Sequence, residues 1–161
     1  MPSKLNSPVI LAIDPGFDRV GWAVGHKQAN QVITTAHGLI QTDRATSLFQ
    51  RYFQIQNQVL QIIQEHSPKI LAIEKLFFAR NKTTALKVSE ARGVIIITAL
   101  NAQMEIIELT PNEIKLAVAG DGQADKLALE KMVRLQLRLE NQKIIDDTID
   151  ALAILITACF Q

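Results

Sequence analysis

A single cysteine, Cys159, stands among the 161 residues, so no disulfide can form within the chain. That fits a reducing compartment, and the apolar neighbours of Cys159 predict a buried thiol. Long apolar runs are missing too. The longest nearly apolar stretch, Ala151 to Phe160, is ten residues and contains Thr157, whereas a membrane span needs about 20. The first apolar run, Val9 to Ile13, ends at Asp14 and is too short for a secretory signal. A cytoplasmic protein with no membrane partner is the expectation. Net charge is nearly absent, with 17 basic residues facing 16 acidic ones. No repeat, linker or composition break divides the chain, so residues 1–161 read as one domain. Hydrophobic residues make up 48% of it, enough for a core, which excludes disordered and low-complexity classes.

The charge is small in sum but unevenly spread. Residues 75–92 carry Lys75, Arg80, Lys82, Lys87 and Arg92 against Glu90 alone. Residues 144–161 carry Asp146, Asp147 and Asp150 and no lysine or arginine. A basic segment beside an acidic cluster suits an anionic ligand together with a cation. A solvated helix face is the plainer alternative.

Apolar runs of strand length cover Pro8–Asp14, Val20–Val24 and Val32–Ile40, with turns near Asp18 and residues 27–31. They predict an antiparallel meander. Helical spacing of Leu48, Tyr52, Ile55, Val59 and Ile62/Ile63 predicts a long helix from Arg44 to His66, stopped by Pro68. A buried strand over Lys69–Glu74 follows, then a helix from Thr83 to Asn101 whose second half is apolar on nearly all sides. One side would meet the sheet and the other a partner. A fifth strand spans Met104–Leu109. Thr110-Pro111-Asn112-Glu113 is a capping box with proline in the first helical position. Gly120-Asp121-Gly122 closes that short helix, and two more are expected over Asp125–Leu139 and Asp147–Phe160. The pattern is mixed α/β, in the βββαβαβ order of the ribonuclease H-like fold.

Four carboxylates fall where such a fold gathers side chains. Asp14 and Glu74 each close a buried strand, after Leu-Ala-Ile in both cases. Asp147 and Asp150 are three apart on the last helix and share a face. Parallel strands bring their carboxyl ends to one sheet edge. A carboxylate ending a buried strand is desolvated at a cost. A hard divalent cation with oxygen ligands offsets that cost. Each residue also has a plainer explanation: an Asp-Pro-Gly turn for Asp14, a lysine pair for Glu74, a helix cap for Asp147.

The segments Ile13-Asp14-Pro15-Gly16, Ala72-Ile73-Glu74-Lys75-Leu76-Phe77, Ala91-Arg92-Gly93 and Asp147-Thr148-Ile149-Asp150-Ala151-Leu152-Ala153, in this order, resemble those of RuvC-type Holliday-junction resolvases. The match runs from Val9 to Cys159. The resemblance implies a ribonuclease H-like fold with a five-stranded mixed sheet. It implies a homodimeric endonuclease that binds a four-way DNA junction and nicks two strands symmetrically in recombination and repair. Branch-migration motor proteins are possible further partners.

By position, Asp14, Glu74, Asp147 and Asp150 match the family's catalytic, metal-binding carboxylates, with two Mg²⁺ ions per site and Mn²⁺ as substitute. The resemblance has Asp14 bridging both ions, Glu74 on the nucleophile side and Asp150 on the other. Asp147 is either a ligand or an orienter of water. Asp146 reads as a capping residue. Lys115 matches a catalytic lysine and Lys126 a lysine that meets phosphate. Phe77 matches an aromatic that stacks on an unpaired base, a role neighbouring Phe78 could take. Arg80, Asn81, Lys82 and Lys87 would continue the DNA-binding track, and Arg92 would extend it or make a structural contact. Leu86, Ala91 and the run from Val94 onward would form the dimer helix. Phe17 departs from the small hydroxyl residue common after Asp-Pro-Gly and alters the rim of the site. Three alternatives stay open: the same fold cutting other branched DNA, flaps or RNA; a phosphate-binding ATPase-type fragment, since Ile13-Asp14-Pro15-Gly16 before a strand also resembles a phosphate loop of actin-like kinases; and a non-catalytic junction-binding scaffold.

Overall fold

A computed structural model describes residues 7–77 and 82–161. Three antiparallel strands come first: β1 (Ile10–Asp14), β2 (Arg19–Gln28) and β3 (Gln31–Gln41). Then follow α1 (Leu48–His66), β4 (Ile70–Glu74), α2 (Lys82–Asn101) and β5 (Glu105–Leu109). The chain ends with α3 (Pro111–Ala119), α4 (Lys126–Leu137) and α5 (Asp146–Cys159). The five strands form one mixed sheet in the order β3-β2-β1-β4-β5, with β1, β4 and β5 parallel.

Side chains alternate across a strand, and the alternation sorts the core. Leu11, Ile13, Leu71 and Ile73 face α1 and α2. Ile10, Ala12 and Ala72 face α5, with α3 and α4 behind it. The next even-numbered positions, Asp14 and Glu74, therefore project towards α5 as well. That helix is the centre of its layer, with eleven of its residues, Cys159 among them, buried. Burial also pushes the Cys159 thiol up to about 11, so it stays protonated and inert.

Helix ends differ from the sequence reading where local signals compete. α1 starts at Leu48, not Arg44. Asp43 instead accepts the Ala45 N–H at 2.8 Å in a turn, and Ser47 caps the helix by accepting from Gln50 N. Its other end is the left-handed Ser67, directly before Pro68. α4 stops at Leu137, because Arg138 takes the left-handed conformation and closes it with two backbone bonds. α3 has the expected capping box, with the Thr110 N–H donating to Glu113 at 2.7 Å.

One buried cation braces the turn after Asp14. Arg51 of α1 is only 9% exposed. Its Nε donates to Thr42 Oγ1 at 2.9 Å and its Nη2 to the Phe17 carbonyl at 3.2 Å. It also pairs with Asp18, which Arg44 meets at 3.1 Å from outside. The Phe17 ring lies beneath two cations, Arg51 at 5.2 Å and Lys87 of α2 at 5.4 Å. Phe17 thus ties the Asp14 turn to both helices of this layer.

Candidate active site

β1 and β4 run in parallel register, Ile13 beside Ile73, so Asp14 and Glu74 sit on adjacent strand ends. α5 brings the other two acids over them. Its first turn holds Asp146 and Asp147, and Asp150 follows one turn on. Two features fix this placement. β2 offers Gly21 under the helix, where a Cβ would lie 1.8 Å from the Asp147 carbonyl oxygen. Thr148 Oγ1 donates to the Gly38 carbonyl of β3 at 2.9 Å. The sheet thus meets the start of α5 backbone to backbone.

The acids repel each other out of water. Asp14 is pushed up to about 8, first by burial, then by the charges of Asp150, Glu74 and Asp147. Glu74 is raised by burial and by Asp150, with Lys115 opposing. Asp150 is raised by burial, with Lys126 opposing. Lys126 is held charged, above all by Asp150; its Nζ stands 3.3 Å from Asp146 and 3.8 Å from Asp150. Glu74, Lys115, Lys126 and Asp150 line one cavity of about 240 Å³.

This donor set suits a hard divalent cation. It is all oxygen, partly desolvated and in excess negative charge. Oδ2 of Asp147 is buried without a hydrogen-bond partner, although Arg19 Nε approaches to 3.0 Å. Among the described residues, no three acidic, histidine or cysteine side chains already close around one point. Lys126 and Arg19 stand against the carboxylates instead.

The remaining candidates are distributed as follows. Phe77 is 65% exposed just beyond β4. Lys82 opens α2 on the surface, and Lys87 lies over the Phe17 ring. Phe78, Arg80 and Asn81 lie outside the described residues. Arg92 makes a structural contact: its Nε donates to the Glu74 carbonyl at 3.0 Å and its guanidinium pairs with Glu108. Asp146 is not the cap of α5. Ile145 occupies that position without a side-chain bond, and Asp146 turns outward to Lys126. Sequence reasoning missed Arg19 and Arg51. Neither lies in a motif, and both act on residues far along the chain.

A βββαβαβ sheet with acids gathered at its carboxyl edge defines a nuclease of the ribonuclease H-like class. The family model "Crossover junction endodeoxyribonuclease RuvC" matches residues 10–158. The RuvC protein of Thermosipho melanesiensis is 39% identical over 145 residues, covering 90% of this chain and 92% of its own. That of Heliobacterium modesticaldum is 41% identical over 148 residues, covering 92% and 91%. Thermus thermophilus RuvC in complex with its Holliday junction substrate superposes with a TM-score of 0.88 at 30% identity, over 95% of this chain and 93% of that one. This chain belongs to the RuvC family of crossover junction endodeoxyribonucleases. No described helix is long and apolar enough to cross a membrane.

Proposed function

We propose that this chain resolves four-way DNA junctions by hydrolysing one phosphodiester in each of two strands, with Asp14, Glu74, Asp147 and Asp150 as its divalent-ion ligands. The observation that carries the reading is the in-register pairing of β1 and β4 beneath α5, which sets four carboxylates at one sheet edge. Two Mg²⁺ ions, or Mn²⁺ in their place, would supply Lewis acidity to the scissile phosphate and activate the attacking water. Lys115 and Lys126, on the wall of the same cavity, meet the negative charge that develops on the phosphate. Asp14, pushed up to about 8 by burial and its acidic neighbours, gives up its proton as ions bind, and burial raises Glu74 in the same direction. Phe77 offers an exposed ring to an unstacked base, and Lys82 and Lys87 line the path of the backbone. The test is cleavage of a mobile four-way junction against a linear duplex of the same sequence, with Mg²⁺, Mn²⁺ or EDTA. Paired symmetric nicks in the junction alone, lost in EDTA, support the reading. Preferred cutting of flaps, duplex or RNA overturns the substrate, and binding without cutting in either metal overturns the enzyme.

Two strands cut at one junction call for two sites. The outer face of α2 bears Leu86, Ile97 and Leu100, each about half exposed, around Gly93, whose added Cβ would touch nothing within 4 Å. An apolar stripe with a glycine at its centre suits close packing against a second copy of the same helix. Ile97→Glu puts a charge into that contact without touching the core. We expect the dimer dissociation constant to rise about 30-fold or more, ~2 kcal/mol, with unchanged circular dichroism. Sedimentation equilibrium reads the first, and junction products shift from paired to single nicks. A dimer of unaltered affinity would exclude this face.

A further inference from the structure

Arg19 opens β2, just beyond the turn that follows Asp14. Its Nε lies 3.0 Å from Oδ2 of Asp147, the same oxygen that is buried without a hydrogen bond. Among the described residues, Arg19 is the one cation paired with Asp147. The arginine itself is loosely held: its side chain is 47% exposed. Beside it opens a cleft of about 480 Å³, bounded by Gly16, Phe17, Asp18, Gln41, Arg44 and Val88, in which Asp18 is already paired with Arg44 and Arg51. Lys126 differs, because it spans Asp146 and Asp150 together and stays tethered if either is taken.

A guanidinium and a divalent ion at one buried carboxylate oxygen compete for its charge. The two cations repel at such range, and the low local dielectric strengthens the repulsion. The dication holds the oxygen more strongly, and the half-exposed arginine has somewhere to go. We propose that Arg19 is a built-in competitor for the ion at Asp147, and that the ion's arrival releases its guanidinium into the adjoining cleft to take a DNA phosphate. The proposal rests on Asp147 being an ion ligand. It makes ion loading and DNA grip successive uses of one side chain: Arg19 neutralises the acid before loading and the phosphate after it. An arginine fork is suited to both carboxylate and phosphate.

The test is Mn²⁺ binding to the whole chain without DNA, followed by the electron paramagnetic resonance of free Mn²⁺. Wild type, Arg19→Gln, Arg19→Lys and Asp147→Asn are compared. Arg19→Gln should bind Mn²⁺ about two- to fivefold more tightly, the yield of removing a partly exposed ion pair. Arg19→Lys, which keeps the charge, should stay close to wild type. Equal or weaker binding in Arg19→Gln overturns the competition. Asp147→Asn separates the two readings: if it leaves Mn²⁺ affinity intact, Asp147 is not a ligand and the underlying assignment falls. Junction affinity is then measured against salt, in Ca²⁺ and in EDTA. In Ca²⁺ the Arg19→Gln variant should lose about one unit of the salt slope, the signature of one phosphate contact. In EDTA the slope should not change. A slope unaltered in both conditions overturns the handover to phosphate.

Discussion

Asp14→Asn should cut junction cleavage to below about one-hundredth of wild type, yet raise the thermal midpoint of the protein in EDTA at about pH 8. Loss of a proposed divalent-ion ligand accounts for the first effect. The second follows from the position of Asp14, which is pushed up to about 8 by burial and by Asp150, Glu74 and Asp147. In the unfolded chain the same carboxyl ionises near its ordinary value of 3.8. Between those values the folded protein holds the extra proton, so stability is complete below the unfolded pKa and is lost as pH rises towards 8. The wild type should lose on the order of 4 kcal/mol from this group between about pH 5 and pH 8. Glu74 and Asp150 are raised as well, so they add slope of the same sign and leave some in the variant. Asparagine keeps the shape and has no charge to desolvate. If the ionised acids hold the ions as proposed, divalent ions should reverse the trend for wild type. Unfolding curves across pH, with EDTA and with Mg²⁺, check all of this. If Asp14→Asn is destabilised at pH 8 in EDTA, the cost assigned to the buried carboxylate is wrong.

The sheet was readable because its signals are local. Pro8–Asp14 and Lys69–Glu74 are apolar runs stopped by an acid, and they became the parallel pair β1 and β4. The capping box at Thr110–Glu113 needs four consecutive residues and no tertiary contact. The four carboxylates were readable as strand-end and helix-face acids for the same reason. What a single run of residues could not give is which cation stands against which acid. Arg19 and Asp147 meet only once β2 has passed beneath α5, and Arg51 reaches Asp18 only across the layer of α1. Asp146 shows a local rule losing to such a contact. An aspartate before a helix favours the cap, but here Ile145 takes the cap position and Asp146, the first helical residue, pairs with Lys126 instead. Phe17 was an unexplained departure in sequence. In the fold it is the apolar plate between Arg51 and Lys87.

Gly21→Ala should be far more damaging than one added methyl suggests. Gly21 pairs with Asp14 across β1 and β2, and its missing side chain is the space into which α5 descends. A Cβ there would stand 1.8 Å from the carbonyl oxygen of Asp147 and 2.2 Å from its carbonyl carbon. Both are backbone atoms in the first turn of a helix, so no rotamer change relieves the overlap. Either β2 drops, which disturbs its ladder with β1, or α5 lifts, which breaks the Thr148–Gly38 bond and carries Asp147 and Asp150 away from Asp14. Overpacking against a side chain costs about 1–3 kcal/mol; against backbone we expect the upper end or beyond. For a chain of this length that lowers the thermal midpoint by roughly 10 °C. The folded fraction should bind Mn²⁺ more weakly, because the acids no longer converge. Thermal unfolding and Mn²⁺ titration on the same sample separate the two effects. A variant that melts within about two degrees of wild type and keeps its ion affinity would mean that the helix finds its place without this contact. The placement of α5 over the β1 and β4 ends would then rest on the Thr148–Gly38 bond and the core behind the helix.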